Sequence, residues 1–329
     1  MHTLIHNIGP FREHLQDDGV TDIVVNKPGE IGVEKAGRWT WYDEPWLTYE
    51  RLLAIAVVAA YQTGQNISAW QPIVTTSLPD GERLHICRPP VTARGVISFT
   101  IRRPPGFRPT IERLHEMGMF DEIDRPSERP QEQDERVLAW RDDPFFMRMS
   151  RATKARKNVL ICGPTGSGKT TLARALSEEI DEDERVITIE DIAEWLKMRQ
   201  RNRVALYYSK GQQAGNSVTP VQLIESSLRM RPDRVLMGEL RDDAAFTYLR
   251  SVVAGHPGGI TTLHADTARG AFDALRLMVR QDASGRSMDD KDVKELLLQR
   301  VGLVAHCHHD KERNTYRVTD VYEPERLTA

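Results

Sequence analysis

Cysteine is scarce: Cys87, Cys162 and Cys307 are the only three among 329 residues. They are widely separated and odd in number. They cannot form a disulfide framework or a four-cysteine zinc module, and they point to a reducing compartment. Cys162, inside VLICG, reads as a small buried hydrophobe. Long apolar runs are also missing. The longest, LLAIAVVAAY at 52–61, has ten residues, whereas a membrane-crossing helix needs about 20. The opening MHTLIHNIGPFREHLQDDG lacks a basic start followed by an apolar core, so it does not read as a signal peptide. Net charge is nearly absent, at −3 from 45 basic and 48 acidic residues, so no global basic field points to nucleic acid. No internal repeat stands out. What remains is 40% hydrophobic and 28% charged. That suits a soluble globular chain with a sizeable core, long enough for about two domains.

The first domain is expected over residues 1–120. TDIVVNKPGEIGVEK reads as two strands around a turn at Pro28-Gly29, and RWTWY offers a third. LTYERLLAIAVVAAYQTG reads as a helix, with Thr48 as N-cap and Gly64 past its end. IVTTSLPDGERLHICR reads as a hairpin turning at Asp80-Gly81, and GVISFTIRR as another strand. This is a small, mostly antiparallel α+β unit. Residues 121–136 hold seven acids, three arginines and two prolines with almost nothing apolar. A charged linker is therefore expected over 121–143.

The second domain, 144–329, alternates strands and helices. NVLICG, RVITIE, RVLMGE and GITTLHA read as strands. GKTTLARALSEEI, the segment from Thr219-Pro220 to Pro232, DDAAFTYLRSVVAG and ARGAFDALRLMVRQ read as helices. The order predicts an α/β sheet with helices on both faces. A final helix and hairpin close the chain.

GPTGSGKT at 163–170 follows a strand and opens a helix, the context in which this pattern cradles phosphates. Gly163, Pro164, Thr165, Gly166, Ser167 and Gly168 let backbone N–H groups curl around a β-phosphate. Lys169 reaches the β- and γ-phosphates, Thr170 holds Mg²⁺ through its hydroxyl, and Thr171 follows in the first turn. ATP and Mg²⁺ are the implied ligands. A partner acid is expected from a neighbouring strand, and RVLMGELR supplies Glu239, placed to polarise water or hold Mg²⁺ through water. ITIEDIAEW adds Glu190, Asp191 and Glu194 after another strand. Glu190 is the first choice there, against a reading in which these acids cap a helix beginning near Ile192.

AGHPGGITTLHAD, at 254–266, carries His256 and His264. His264 should end its strand near the γ-phosphate, where an imidazole can donate a hydrogen bond and report its presence. A zinc site needs three or four ligands at sensible spacing, which this stretch does not offer. CHHD at 307–310 reads as a strand end before the turn DKERN.

Taken in order, GPTGSGKTT, ITIEDIAE, SLRMRPDRVLMGELR and GHPGGITTLHA resemble the traffic ATPases of bacterial type IV secretion systems, relatives of those of type II secretion and type IV pili. These motifs extend over 158–265, and the pattern ending in TIRRP also agrees. The resemblance implies a RecA-like P-loop domain preceded by a smaller α+β domain, with ATP between them, in a homo-hexameric ring. It makes Glu190 and Glu194 an acidic box, Glu239 the second nucleotide-motif glutamate, and His256 and His264 the ends of a histidine box. Arg229 and Arg241 match arginines flanking the Glu239 strand. Arg102 or Arg103 matches an N-domain arginine that reaches the nucleotide, with Arg83 a weaker candidate. Implied partners are inner-membrane secretion components, including a coupling ATPase, and a protein or DNA–protein cargo. The implied location is cytoplasmic, peripheral to the inner membrane. Ala193 and Trp195 depart from the proline and leucine common in relatives. The long linker also raises the expectation that one subunit's first domain covers its neighbour's ATPase domain.

A pilus-assembly or type II secretion ATPase is the nearest alternative. Many of those carry a four-cysteine zinc module that this chain cannot build, although some lack it. A non-hydrolysing ring would lack Glu190 and Glu239. A nucleic-acid motor would use the basic stretch MRMSRATKARKN at 147–158, which reads better as a solvated helix face.

Overall fold

The computed structural model describes residues 8–17, 19–35, 37–103, 109–123, 143–191, 193–195, 198–208, 218–241, 244–253 and 255–324. Most of the expected linker, 124–142, lies outside them. The chain divides into two compact units: Met1–Arg108 with Asp191–Leu196 and Tyr208–Val218, and Pro109–Glu190 with Lys197–Tyr207 and Thr219–Ala329.

The first unit is an antiparallel sheet with helices. Helix α1 spans Gly9–Leu15 and α2 spans Tyr49–Gln62. The strands are β1 (Val20–Val25), β2 (Glu30–Lys35), β3 (Arg38–Asp43), β4 (Ile73–Ser77), β5 (Arg83–Cys87) and β6 (Ser98–Arg102). They line up as β3-β2-β1-β6-β5-β4, every neighbouring pair antiparallel. Thr48 caps α2 by accepting from the Arg51 amide, satisfying a donor the helix leaves orphaned. Leu52, Ile55, Ala56, Ala59 and Ala60 form the buried stripe of α2 and join the core with Phe11, Ile23, Val74 and Phe99. Helix α1 is absent from the expectations above, and Phe11 anchors it by stacking on Phe99 at 6.2 Å.

The second unit opens earlier than expected. Helix α3, Ile111–Glu116, belongs to it rather than to a first domain ending at 120. The reason is packing: Ile111, Leu114, Met119 and Phe120 are buried, and α3 contacts α4 (Phe145–Lys154) and α5 (Lys169–Ser177). The Val318 amide also bonds the Met119 carbonyl at 2.7 Å.

Strands β7 (Val159–Cys162), β8 (Val186–Glu190), β9 (Arg203–Tyr207), β10 (Arg234–Met237), β11 (Ile260–Leu263), β12 (Leu303–Asp310) and β13 (Thr315–Tyr322) order as β13-β12-β7-β11-β10-β8-β9. All pairs are parallel except the β12–β13 hairpin. Every residue of β7, β8, β10 and β11 is buried. Side chains alternate sides along a strand, so both faces of the sheet are covered. The remaining helices are α6 (Pro220–Leu228), α7 (Ala244–Val253), α8 (Ala268–Val279), α9 (Ala283–Arg286) and α10 (Asp290–Arg300). Thr219 and Gln222 form a reciprocal capping box at α6 with Pro220 in its first turn, as the sequence signals. Strand β9 went unread, and no helix begins near Ile192: Asp191 and residues 193–195 are irregular.

Two polar knots hold the amino-terminal edge of this sheet. Arg234, 1% exposed, forks onto both oxygens of Glu184 at 2.7 and 2.9 Å and donates to the Thr153 carbonyl at 2.7 Å. Asn158 accepts from the Gly258 and Gly259 amides, both at 2.9 Å, and donates to the Arg300 carbonyl at 2.6 Å. Neither was legible as a site.

Candidate functional site

The loop 163–168 leaves β7 at the carboxyl edge of the parallel sheet, and α5 begins at its far end. Two glycines are fixed by conformation and space. Gly163 has φ 141, and a Cβ there would overlap the Cys307 carbonyl oxygen and stand 2.7 Å from Ser167 Oγ. Gly168 has φ 93 and N-caps α5. These are conformations that side chains resist. Lys169 is buried, and its ammonium donates to the Gly163 and Pro164 carbonyls at 2.7 and 2.8 Å. Two carbonyls of the loop thus hold its own cation. Ser167 Oγ is buried with no hydrogen-bond partner among the described residues. An orphaned hydroxyl beside a buried ammonium, ahead of free helix N–H groups, fits an anion. Thr170 and Thr171, half-buried, lie in the first turn of α5.

The neighbouring strand ends converge on the same edge. β11 lies directly beside β7, with Leu263 paired to Cys162, so His264 stands level with Gly163. β10 follows β11, so the strand leading to Glu239 is separated from β7 by β11 rather than adjacent to it. The Leu240 amide bonds the Thr262 carbonyl at 2.7 Å, the Thr262 hydroxyl bonds the Gly238 carbonyl at 2.7 Å, and the Gly238 amide bonds the Ile189 carbonyl at 2.9 Å. These bonds set Glu239 between β11 and β8. Its carboxylate pairs with Arg241 through Oε2, and His264 Nε2 approaches Oε1 at 3.1 Å. Glu190, 1% exposed, ends β8 and accepts from the Thr188 hydroxyl. Burial, then the Glu190 charge, pushes the Tyr207 phenol on β9 above its usual range. Cys162 is no nucleophile, since burial foremost pushes its thiol up to about 12.

Other sequence candidates lie elsewhere. Arg229 caps the carboxyl end of α6 and donates to the Glu225 carbonyl at 3.1 Å. It precedes β10, so it lies at the sheet edge opposite Glu239. His256 precedes β11 on that same far edge, its Nδ1 2.9 Å from the Pro232 carbonyl oxygen. The two histidines of the 254–266 stretch therefore flank one strand at opposite ends. Glu194, half-buried, falls in Asp191–Leu196, which groups with the first unit and not with Glu190. In the first unit, Arg102 pairs with Asp22 at 2.9 Å and Arg103 donates to the Asp17 carbonyl at 2.9 Å. Arg83 lies opposite Arg102 in the β5–β6 ladder.

Among the described residues, no group of three or more His, Cys, Asp or Glu side chains could hold a metal ion unaided. Mg²⁺ is ordinarily held by one or two protein oxygens together with the phosphates of a nucleotide. The Thr170 hydroxyl and the Glu239 and Glu190 carboxylates are the oxygens this edge offers.

Residues 144–326 match the family described as Type II/IV secretion system protein. The Type IV secretion system protein VirB11 of Bartonella henselae is 38% identical over 331 aligned residues, covering 97% of this chain and 92% of that protein. The crystal structure of the VirB11 ATPase from the Brucella suis type IV secretion system, in complex with sulphate, is 34% identical. It superposes with a TM-score of 0.53, covering 99% of this chain and 95% of that one. The pilus retraction motor PilT with bound ADP shares the fold at 18% identity and a TM-score of 0.62, covering 97% and 83%.

Proposed function

Because the chain belongs to the Type II/IV secretion system protein family, we propose that it is an ATPase driving transport or pilus assembly through a type IV secretion system. The observation that carries this reading is the convergence, at one sheet edge, of the glycine loop and Lys169 with the Glu239–His264 pair. Lys169 would exchange its two carbonyl partners for β- and γ-phosphate oxygens, and loop amides would take the β-phosphate. Glu239 would accept the proton of the attacking water, and Glu190 would orient that water from the next strand. His264 can give its Nε2 proton to Glu239 or to a γ-phosphate oxygen, so it reports which is present. Arg241 can likewise leave Glu239 for the phosphates as charge builds there. Mg²⁺, held by Thr170 and the nucleotide, would neutralise the developing phosphate charge.

We take the working form to be a homo-hexamer at the cytoplasmic face of the inner membrane, beside a coupling ATPase, moving protein or DNA–protein cargo. The family resemblance supports this. No helix among the described residues is long and apolar enough to cross a membrane. In the same reading, Arg102 or Arg103 and Glu194 serve the nucleotide, and Arg229 acts away from its own loop.

Glu239→Gln keeps the side-chain shape but removes its basicity. It should bind ATP with unchanged affinity while hydrolysis falls about 10²-fold or more. Lys169→Ala should lose both. Phosphate release at the original rate from the Gln variant refutes the role of Glu239.

A further inference from the structure

Beyond the phosphate loop, β12 runs past the end of its neighbour. β7 ends at Cys162, level with His306, while β12 continues to Asp310. The tip of the β12–β13 hairpin therefore overhangs loop 163–168. There His309 and Tyr316 face each other across the ladder, their rings parallel to within 4° and 4.2 Å apart. His309 Nε2 lies 3.1 Å from Asn314 Oδ1, which sets the plane of the imidazole. Tyr316 is 43% exposed, so part of its ring is open to a ligand. Its ring leans over Gly168: a Cβ at that position would lie 3.2 Å from Tyr316 Cδ1 and 3.8 Å from Met119 Cε.

We propose that the stacked His309–Tyr316 pair, backed by the buried Met119, is the shelf that receives the base of the bound nucleotide. The inference rests on the phosphate-loop reading above. In that reading the β- and γ-phosphates occupy the bowl of the loop near Lys169. The α-phosphate and ribose leave past the first turn of α5, on the Gly168 side, where the aromatic pair stands. A flat, partly exposed π-surface suits a heteroaromatic base of any identity. Stacking on a ring face does not read a base edge. The shelf should therefore favour nucleotides over bare triphosphate strongly, and ATP over GTP only weakly.

A cross-strand aromatic pair can also serve the hairpin alone. Binding of Mg·ATP and of Mg·tripolyphosphate, measured by calorimetry on full-length wild type, Tyr316→Ala and Tyr316→Leu, separates the two roles. The Leu variant keeps apolar cross-strand packing, and thermal melts check folding. The expected result is a loss of about tenfold in ATP affinity for both variants, with tripolyphosphate affinity unchanged and Tyr316→Phe close to wild type. Equal losses for both ligands, or no loss for either, overturn the shelf. Tight tripolyphosphate binding by wild type with no preference for ATP also overturns it while sparing the phosphate loop. Failure of wild type to bind either ligand overturns the function proposed above, and the shelf with it.

Discussion

Removing the Arg234 guanidinium should unfold the second unit early. Arg234 enters β10 at 1% exposure and makes a forked pair with Glu184 and a bond to the Thr153 carbonyl. In Arg234→Met the Glu184 carboxylate, 11% exposed, keeps one cation, Arg156, at 3.2 Å. Breaking a buried pair ordinarily costs about 3–5 kcal/mol. The remaining half-exposed arginine softens this, and the Thr153 carbonyl losing its donor adds to it, so about 3 kcal/mol is the working figure. For a unit of 150–250 residues each kcal/mol moves Tm by about 2–4 °C, so the melt should fall by about 6–12 °C. Adding Glu184→Met removes the stranded charge and should recover at least about 1 kcal/mol. The assay is a double-mutant cycle by circular dichroism melts and urea titration. A single-variant loss under about 2 °C, or strictly additive effects in the double variant, refutes the reasoning. Nucleotide affinity of the folded fraction should stay unchanged, because this knot is at the edge of the sheet away from loop 163–168.

Gly163→Ala would drive a methyl into the Cys307 carbonyl and towards Ser167, so calorimetry should find ATP binding lost; near-native affinity would contradict the close packing. Asn158→Ala strips an acceptor from two backbone amides and a donor from the Arg300 carbonyl. It should lower stability by about 2–4 kcal/mol in urea titration, and a loss under 1 kcal/mol would contradict the latch. In the first unit, burial foremost, with Asp80 adding, raises the Glu82 carboxyl above its ordinary value. A raised acid stabilises the fold below its unfolded pKa, and that contribution is lost as pH climbs through the folded value. Glu82→Gln should therefore raise Tm at pH 7, with a gain that shrinks towards pH 4.5; a gain equal at both pH values contradicts the burial argument.

The site was legible where chemistry forces residue order. A phosphate loop needs its glycines, lysine and hydroxyl at fixed spacing, so Gly163 to Thr170 stand out in any chain. Four buried strands announced themselves because both of their faces are covered, giving short runs of apolar and β-branched residues such as VLIC and ITTL. β9 did not. It is the last strand of the sheet, its residues are only half-buried or exposed, and its run begins with an arginine. The 109–120 segment was assigned to the wrong unit because an amphipathic helix reveals its apolar face but not its partner. Arg234 drew no reading of its own inside RVLMGE, although it is the largest fully buried side chain among the described residues. Nothing local marks an arginine whose carboxylate lies fifty residues earlier. The 254–266 stretch split for the same reason. Its two histidines look alike in sequence, yet four strand residues carry them to opposite edges.

Lys169 has one more consequence. Its ammonium is buried and already coordinated by carbonyls of its own loop, so it does not exchange a bulk hydration shell for phosphate. Mobile ions screen charges that water can reach, over about 8–10 Å at 0.1–0.15 M, and screen buried ones far less. The share of ATP affinity that this ammonium supplies should therefore respond less to ionic strength than that of an exposed lysine.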